Sequence, residues 1–257
     1  MSDPAVPAAT LVVMRERGDG PPELLMVERT ARMAFAGGAM VFPGGRIDEE
    51  DRSLAEAFRE PDAAFRIAAI RETLEEGGIP VGLDPTPGQD LATQLQDDLH
   101  AGAGFGELLA DHGLSLDLGA LMPFARWKPA FHQARIFDTL FFVAEAPAGD
   151  WRPNPQPGEC ENVEWLSAGE VLGRVSRGEA NAIFPTIRNL ERLAQFDSIA
   201  AARADAASHP IETITPWIAE HDGETYLFIP EGLGYPVTRE PLASVRRGVG
   251  EGIFPAA

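Results

Sequence analysis

The run Arg71-Glu72-Thr73-Leu74-Glu75-Glu76-Gly77-Gly78-Ile79 places three carboxylates at i, i+3 and i+4, and Phe42-Pro43-Gly44-Gly45 precedes it. On a helix those offsets bring Glu72, Glu75 and Glu76 onto one face within a single turn, where like charges repel unless something positive lies between them. A divalent cation meets that need. Mg²⁺ takes oxygen ligands, retains several waters and acidifies one of them, which suits hydrolysis of a phosphoanhydride. Zinc would call for His or Cys at the site. The plain alternative is a solvated acidic helix face. It is weakened by Ile67, Ile70 and Leu74, which form an apolar stripe on the opposite side, so the helix is anchored and the acids share one open face. Arg71 stands four residues before Glu75, an ion-pair spacing that fixes one carboxylate.

The surrounding elements must carry this helix and the glycine-rich turn. Residues 9–16 and 23–29 are aliphatic runs joined by Gly18-Asp19-Gly20-Pro21-Pro22, which predicts a hairpin. Residues 46–64 are charged and read as an insertion, helical over 54–58. Leu91, Leu95 and Leu99 predict a helix within 89–112, with a second short segment at Phe105, Leu108 and Leu109. Residues 121–127 and 135–144 read as strands, with His132 and Arg135 at the bend between them. Ser167 and Glu170 have capping-box spacing and start another helix. Residues 184–207 read as one long helix. Residues 213–219 and 225–229 alternate around His221-Asp222-Gly223, a second hairpin.

At these residues the chain resembles the Nudix hydrolases, whose signature is Gly-x5-Glu-x7-Arg-Glu-U-x-Glu-Glu-x-Gly-U, with U aliphatic. Arg71 to Ile79 match its second half, with Thr73 in an aliphatic position, and Phe42-Pro43-Gly44-Gly45 resembles its opening turn. Gly45 and Arg71 are separated by 25 residues where the signature has 13, an insertion of 12, and counting back from Arg71 sets its first Glu at Ala63. The resemblance implies an α/β (α+β) Nudix fold, a mixed sheet between helices. The expected organisation is a Nudix domain over residues 1–207, with the insertion at about 46–64, and a C-terminal β-hairpin extension over 208–257.

It also implies a site. Glu72, Glu75 and Glu76 would bind Mg²⁺ or Mn²⁺ with the Gly44 carbonyl, one of them also serving as base beside Arg71. Glu159, six residues before Trp165, would be a further ligand or base, with Glu161 as second choice. Arg29, Arg32, Gly45, Arg46 and Arg135 would hold the phosphates of a nucleoside diphosphate derivative.

The branch is narrower. Leu25-Met26-Val27-Glu28-Arg29-Thr30, Gly38 and Phe42-Pro43-Gly44-Gly45 resemble a coenzyme A-associated signature, except that one of its arginines falls on Ala34, two places after Arg32. Phe105 to Leu109, Ala125-Arg126-Trp127, Phe137-Asp138-Thr139 and Pro185-Thr186 are similar to the branch of peroxisomal-type coenzyme A diphosphatases. The expected substrate is coenzyme A or an acyl-coenzyme A. A pyrophosphatase for ADP-ribose, NADH or another nucleotide would keep the same metal site. An isoprenyl diphosphate isomerase would need a cysteine in the pocket, and a non-catalytic nucleotide-binding module would have broken carboxylates.

Composition bounds the rest. The chain has 257 residues, is 44% apolar and carries a formal charge of −19, which disfavours nucleic acid and anionic membranes as partners. The N-terminus lacks a basic start and a long apolar run, predicting a cytoplasmic protein. Cys160 is the only cysteine, so no intrachain disulfide forms. A homodimer is left open as an assembly.

Overall fold

Strand β1 (Val6–Arg17) alternates its apolar side chains between two cores. Ala9, Leu11 and Val13 enter one, Val12 and Met14 the other. Strand β2 (Gly20–Arg29) divides in the same way, Leu25 and Val27 against Leu24 and Met26. Burial on both faces is why these strands read as nearly continuous aliphatic runs. Arg17 pairs with Gly20, so the hairpin turn is Gly18-Asp19 alone.

The computed structural model describes residues 5–31, 36–129, 136–156 and 158–248. After β2 come β3 (Met40–Val41), β4 (Gly44–Arg46), α1 (Glu49–Ala55) and α2 (Ala63–Gly77). The short antiparallel strands β5 (Leu83–Asp84) and β6 (Ser115–Leu116) flank α3 (Gln89–His100) and α4 (Phe105–Asp111). Then follow β7 (Met122–Trp127), β8 (Phe137–Glu145), β9 (Cys160–Ser167), α5 (Ala168–Ser176), α6 (Phe184–Leu193), α7 (Ile199–Ser208) and β10 (Thr213–Ile214). A last group comprises β11 (Trp217–His221), β12 (Glu224–Phe228), β13 (Arg239–Pro241) and α8 (Leu242–Gly248).

The central sheet runs β10-β7-β8-β1-β2-β3, with β4 also on β1 and β9 also on β2. β1 and β8 are parallel, as are β10 and β7; β1 with β2, β7 with β8 and β2 with β9 are antiparallel. Helices α2, α3 and α4 supply the core on one face, and α5, α6 and α7 with the C-terminal strands supply the other. The expected mixed sheet between helices is therefore present. No helix among the described residues is long and apolar enough to cross a membrane.

Four expectations about elements are corrected. The helix of the insertion is α1 at Glu49–Ala55 and not residues 54–58, because the Asp51 carboxylate accepts the Asp48 N–H at 2.8 Å and starts the helix earlier. The long helix at 184–207 is two, because Ser198 is extended and its hydroxyl accepts the Ala201 N–H at 3.2 Å, opening a new helix. Residues 213–214 leave the expected C-terminal hairpin to join the central sheet beside β7. The extension is also more than a hairpin. Asp222 and Gly223 have φ of 51° and 82°, the positive values of a tight two-residue turn, and β13 then adds a third strand before α8. Leu227, Ile229, Leu233 and Leu242 from this region are buried in the second core, so it packs on its own chain.

Candidate active site

Helix α2 lies on the sheet through Ile67, Ile70 and Leu74, which are completely buried. The opposite face carries the three glutamates, but it is not open to solvent as the sequence suggests. Glu76 is buried and the side chains of Glu72 and Glu75 are mostly covered, because β4 and α1 stand over this face. The end of the helix is also fixed. Gly78 takes φ of 68° and returns its N–H to the Leu74 carbonyl at 2.9 Å, while Gln96 Nε2 donates to the Glu75 carbonyl at 2.8 Å. Gln96 gave no signal in the sequence, since only its place on α3 brings it there.

The glycine-rich turn meets the helix directly. Gly44 and Gly45 pair with Thr10 and Ala9 of β1. A Cβ on Gly44 would run into the β1 backbone, and one on Gly45 would overlap the Glu72 carboxylate. The missing side chains thus let backbone and carboxylate approach closely. The Gly44 N–H donates to Glu76 Oε2 at 2.9 Å.

Arg71 is the internal cation of the cluster. Its Nη1 donates to Glu72 Oε1 at 3.0 Å and to Glu75 Oε2 at 2.8 Å, the latter the ion pair that the spacing predicts. Its main partner is unexpected: Nε and Nη2 donate to the two oxygens of Asp51, at 3.0 and 2.9 Å, and Nη2 reaches the Arg46 carbonyl at 3.2 Å. Burial works against the charge on Arg71, but the Asp51 hydrogen bonds and the charges of Glu72, Asp51 and Glu75 outweigh it and hold its pKa above the ordinary value.

The glutamates are under-compensated. Burial pushes Glu72 up to about 8 against the pull of Arg71, with the charges of Glu76 and Glu75 raising it further. Burial likewise pushes Glu76 up to about 7, opposed by the Gly44 N–H and by Arg29 and reinforced by Glu159. Glu75 is raised for the same first reason.

All three glutamates, Gly44, Gly45, Arg29, Arg46 and Arg71 line one pocket of about 510 Å³. Arg29 Nη1 lies 3.7 Å from Glu76 Oε1, and its buried Nε has no hydrogen-bond partner among the described residues. Glu159 also lines the pocket, because the Thr30 N–H donates to its carbonyl at 2.8 Å and ties the loop before β9 to the end of β2. Glu161 does not line it and instead accepts the Ala31 N–H at 3.4 Å. Phe42, Trp127, Phe141, Ile183 and Pro185 form an apolar wall. Arg32 and Arg135, with Ala34 and His132, lie outside the described residues. Cys160 is buried behind the site, where burial and the charge of Glu76 push its thiol up to about 12.

As they stand, no three acidic, His or Cys side chains among the described residues converge closely enough to hold a metal ion. Glu75 is turned onto Arg71, and Glu76 onto the Gly44 N–H. The donor set still fits a hard divalent cation: it is made of carboxylate oxygens, and their mutual repulsion under burial is a deficit of positive charge.

No family model matches the chain. Among solved structures, a NUDIX hydrolase from Alicyclobacillus acidocaldarius superimposes with a TM-score of 0.70 at 29% identity, covering 79% of this chain and 97% of that one. In sequence, the acyl-coenzyme A diphosphatase NUDT19 of Homo sapiens is 26% identical over 76% of this chain, and that of Gallus gallus 25% over 76%. The chain belongs to the Nudix hydrolase superfamily. It spans about two thirds of the length of these curated relatives, 66% and 67%.

The backward count to Ala63 is overturned. Ala63 merely opens α2, whereas Asp51, six residues after Gly45, puts a carboxylate on Arg71. The 12 inserted residues therefore follow Asp51 and do not precede it: 19 residues separate Asp51 from Arg71, where the Nudix pattern has 7. A forward count from Gly45 would have found it, and the change from Glu to Asp hid it.

Proposed function

We propose that the chain is a metal-dependent hydrolase that cleaves the pyrophosphate bond of a nucleoside diphosphate derivative, with coenzyme A or an acyl-coenzyme A as the substrate class. The observation that carries the reading is the junction of Glu72, Glu75 and Glu76 with Arg29 and the Gly44-Gly45 turn in one pocket. The coenzyme A assignment is supported by the likeness to the two acyl-coenzyme A diphosphatases. In this reading residues 1–207 form the Nudix domain and 208–257 an extension of it.

Glu72, Glu75, Glu76 and Glu159, with the Gly44 carbonyl, would hold Mg²⁺ or Mn²⁺. Once bound, such an ion supplies charge neutralisation and an acidified water for attack on phosphorus. The protein's own groups do the rest. Arg71, through Nη1, orients Glu72 and Glu75 within the pocket. Arg29 and Arg46 line the pocket and are the phosphate partners in this reading. The apolar wall would take the organic half of the substrate.

The test is hydrolysis of coenzyme A, ADP-ribose, NADH and a dinucleoside polyphosphate with Mg²⁺ or Mn²⁺, with products identified by mass. Formation of 3′,5′-ADP and 4′-phosphopantetheine is expected. Cleavage of the other nucleotides alone would discard the coenzyme A assignment, and cleavage of none would discard the hydrolase reading.

A further inference from the structure

The apolar wall of the pocket is held by a residue that does not itself line the pocket. Trp127, at the end of β7, lines the pocket, and its indole Nε1 donates to the Tyr235 hydroxyl at 3.0 Å. That hydroxyl donates in turn to Asn189 Oδ1 on α6 at 2.8 Å. All three residues are buried, and the Trp127 and Tyr235 rings meet edge to face with centroids 5.7 Å apart. Among the described residues nothing beyond Thr186 lines the pocket; of the two partners of the Tyr235 hydroxyl, Trp127 lines it and Asn189 does not. The same region also grips α6, whose first turn supplies Pro185 and Thr186 to the pocket: Arg188 Nη2 donates to Glu240 Oε2 at 2.7 Å.

A buried indole N–H and a buried amide oxygen each need a partner, and a single hydroxyl serves both. Its removal leaves both orphaned, and the indole loses the directional bond that sets its orientation within its packing. Resting on the reading of the site given above, we propose that Tyr235 is a positioning residue for substrate selectivity. It fixes the plane of Trp127, and through it the fit of the organic half of the substrate, while the phosphates and the glutamates lie beyond its reach.

The test compares Tyr235→Phe, Trp127→Phe and the double variant with the full wild-type chain. For each, kcat and KM are measured on coenzyme A and on ADP-ribose, or on whichever two nucleotides the wild type cleaves. Tyr235→Phe is expected to change the ratio of the two kcat/KM values about fivefold, through KM, with kcat changed less than about twofold. In the Trp127→Phe background, where the indole N–H is gone, the same change should have no further effect on the ratio. A purely structural role would lower the active fraction for both substrates alike and leave KM and the ratio unmoved. An unchanged ratio, or an effect that persists in full in the Trp127→Phe background, would overturn the proposal. A wild type that cleaves neither class of nucleotide refutes the hydrolase reading, and the selectivity role falls with it.

Discussion

Arg71 and Asp51 are joined by two parallel hydrogen bonds, Nε to Oδ1 at 3.0 Å and Nη2 to Oδ2 at 2.9 Å, and Asp51 is completely buried. A fork-to-fork pair of this kind has a fixed orientation as well as charge, so it aims the remaining Arg71 nitrogen at Glu72 and Glu75. Helix α1 thereby sets the geometry of carboxylates 21 and 24 residues beyond Asp51 in sequence.

Asp51→Ala should destabilise the protein by about 3 kcal/mol, because it leaves a buried guanidinium with one partner fewer. Urea unfolding measures this directly. A loss smaller than about 1 kcal/mol would mean that the Arg46 carbonyl and the two glutamates suffice to compensate Arg71.

Glu76→Gln should reduce turnover by at least about 100-fold. The fold should survive, for a reason other than exposure: the amide oxygen can still accept the Gly44 N–H, and an ionised group is no longer buried. Near-normal turnover in a folded variant would remove Glu76 from the mechanism.

The raised pKa values give the metal-free protein a pH dependence of definite sign. Glu72 and Glu76 titrate higher when folded than at their ordinary value of 4.5, so the stability they contribute is full below about 4.5 and is lost as pH rises through about 7 and 8. With chelator present, the urea midpoint should fall between pH 5.5 and 8.5, and fall less in Glu76→Gln. Added Mg²⁺ should restore it at the higher pH. An equal fall in wild type and variant would assign the effect to other groups.

Gly45→Ala inserts a methyl group where the Glu72 carboxylate lies, so Glu72 must move. A displacement of about 1 Å at a reacting site costs about 100-fold in kcat/KM. Steady-state kinetics on the purified variant, with circular dichroism to confirm the fold, would show it; unaltered kcat/KM would mean that Glu72 does not have to hold its observed position.

Arg29→Ala should mainly raise KM, by about tenfold, if its guanidinium holds a phosphate. The reading fails if both KM and kcat stay as in the wild type.

Much was legible in the chain because it is encoded at short range. The i, i+3, i+4 spacing of Glu72, Glu75 and Glu76, the Arg71–Glu75 step and the Ser167–Glu170 cap depend only on helix geometry, and the structure places each as the spacing requires. The aliphatic runs of β1 and β2 likewise marked a hairpin, whose strands pair antiparallel in the structure. What tertiary structure alone decided is where distant segments meet. Asp51 reaches Arg71 across the insertion, Glu159 reaches the pocket while Glu161 turns to Ala31, and Tyr235 comes back over a hundred residues to hold Trp127. Burial of the glutamate face belongs here too, since a helical pattern shows which residues share a side but not what later covers it. Spacing along one element is a local constraint written in the sequence; the closure of one element upon another is settled by packing, which no short window of residues contains.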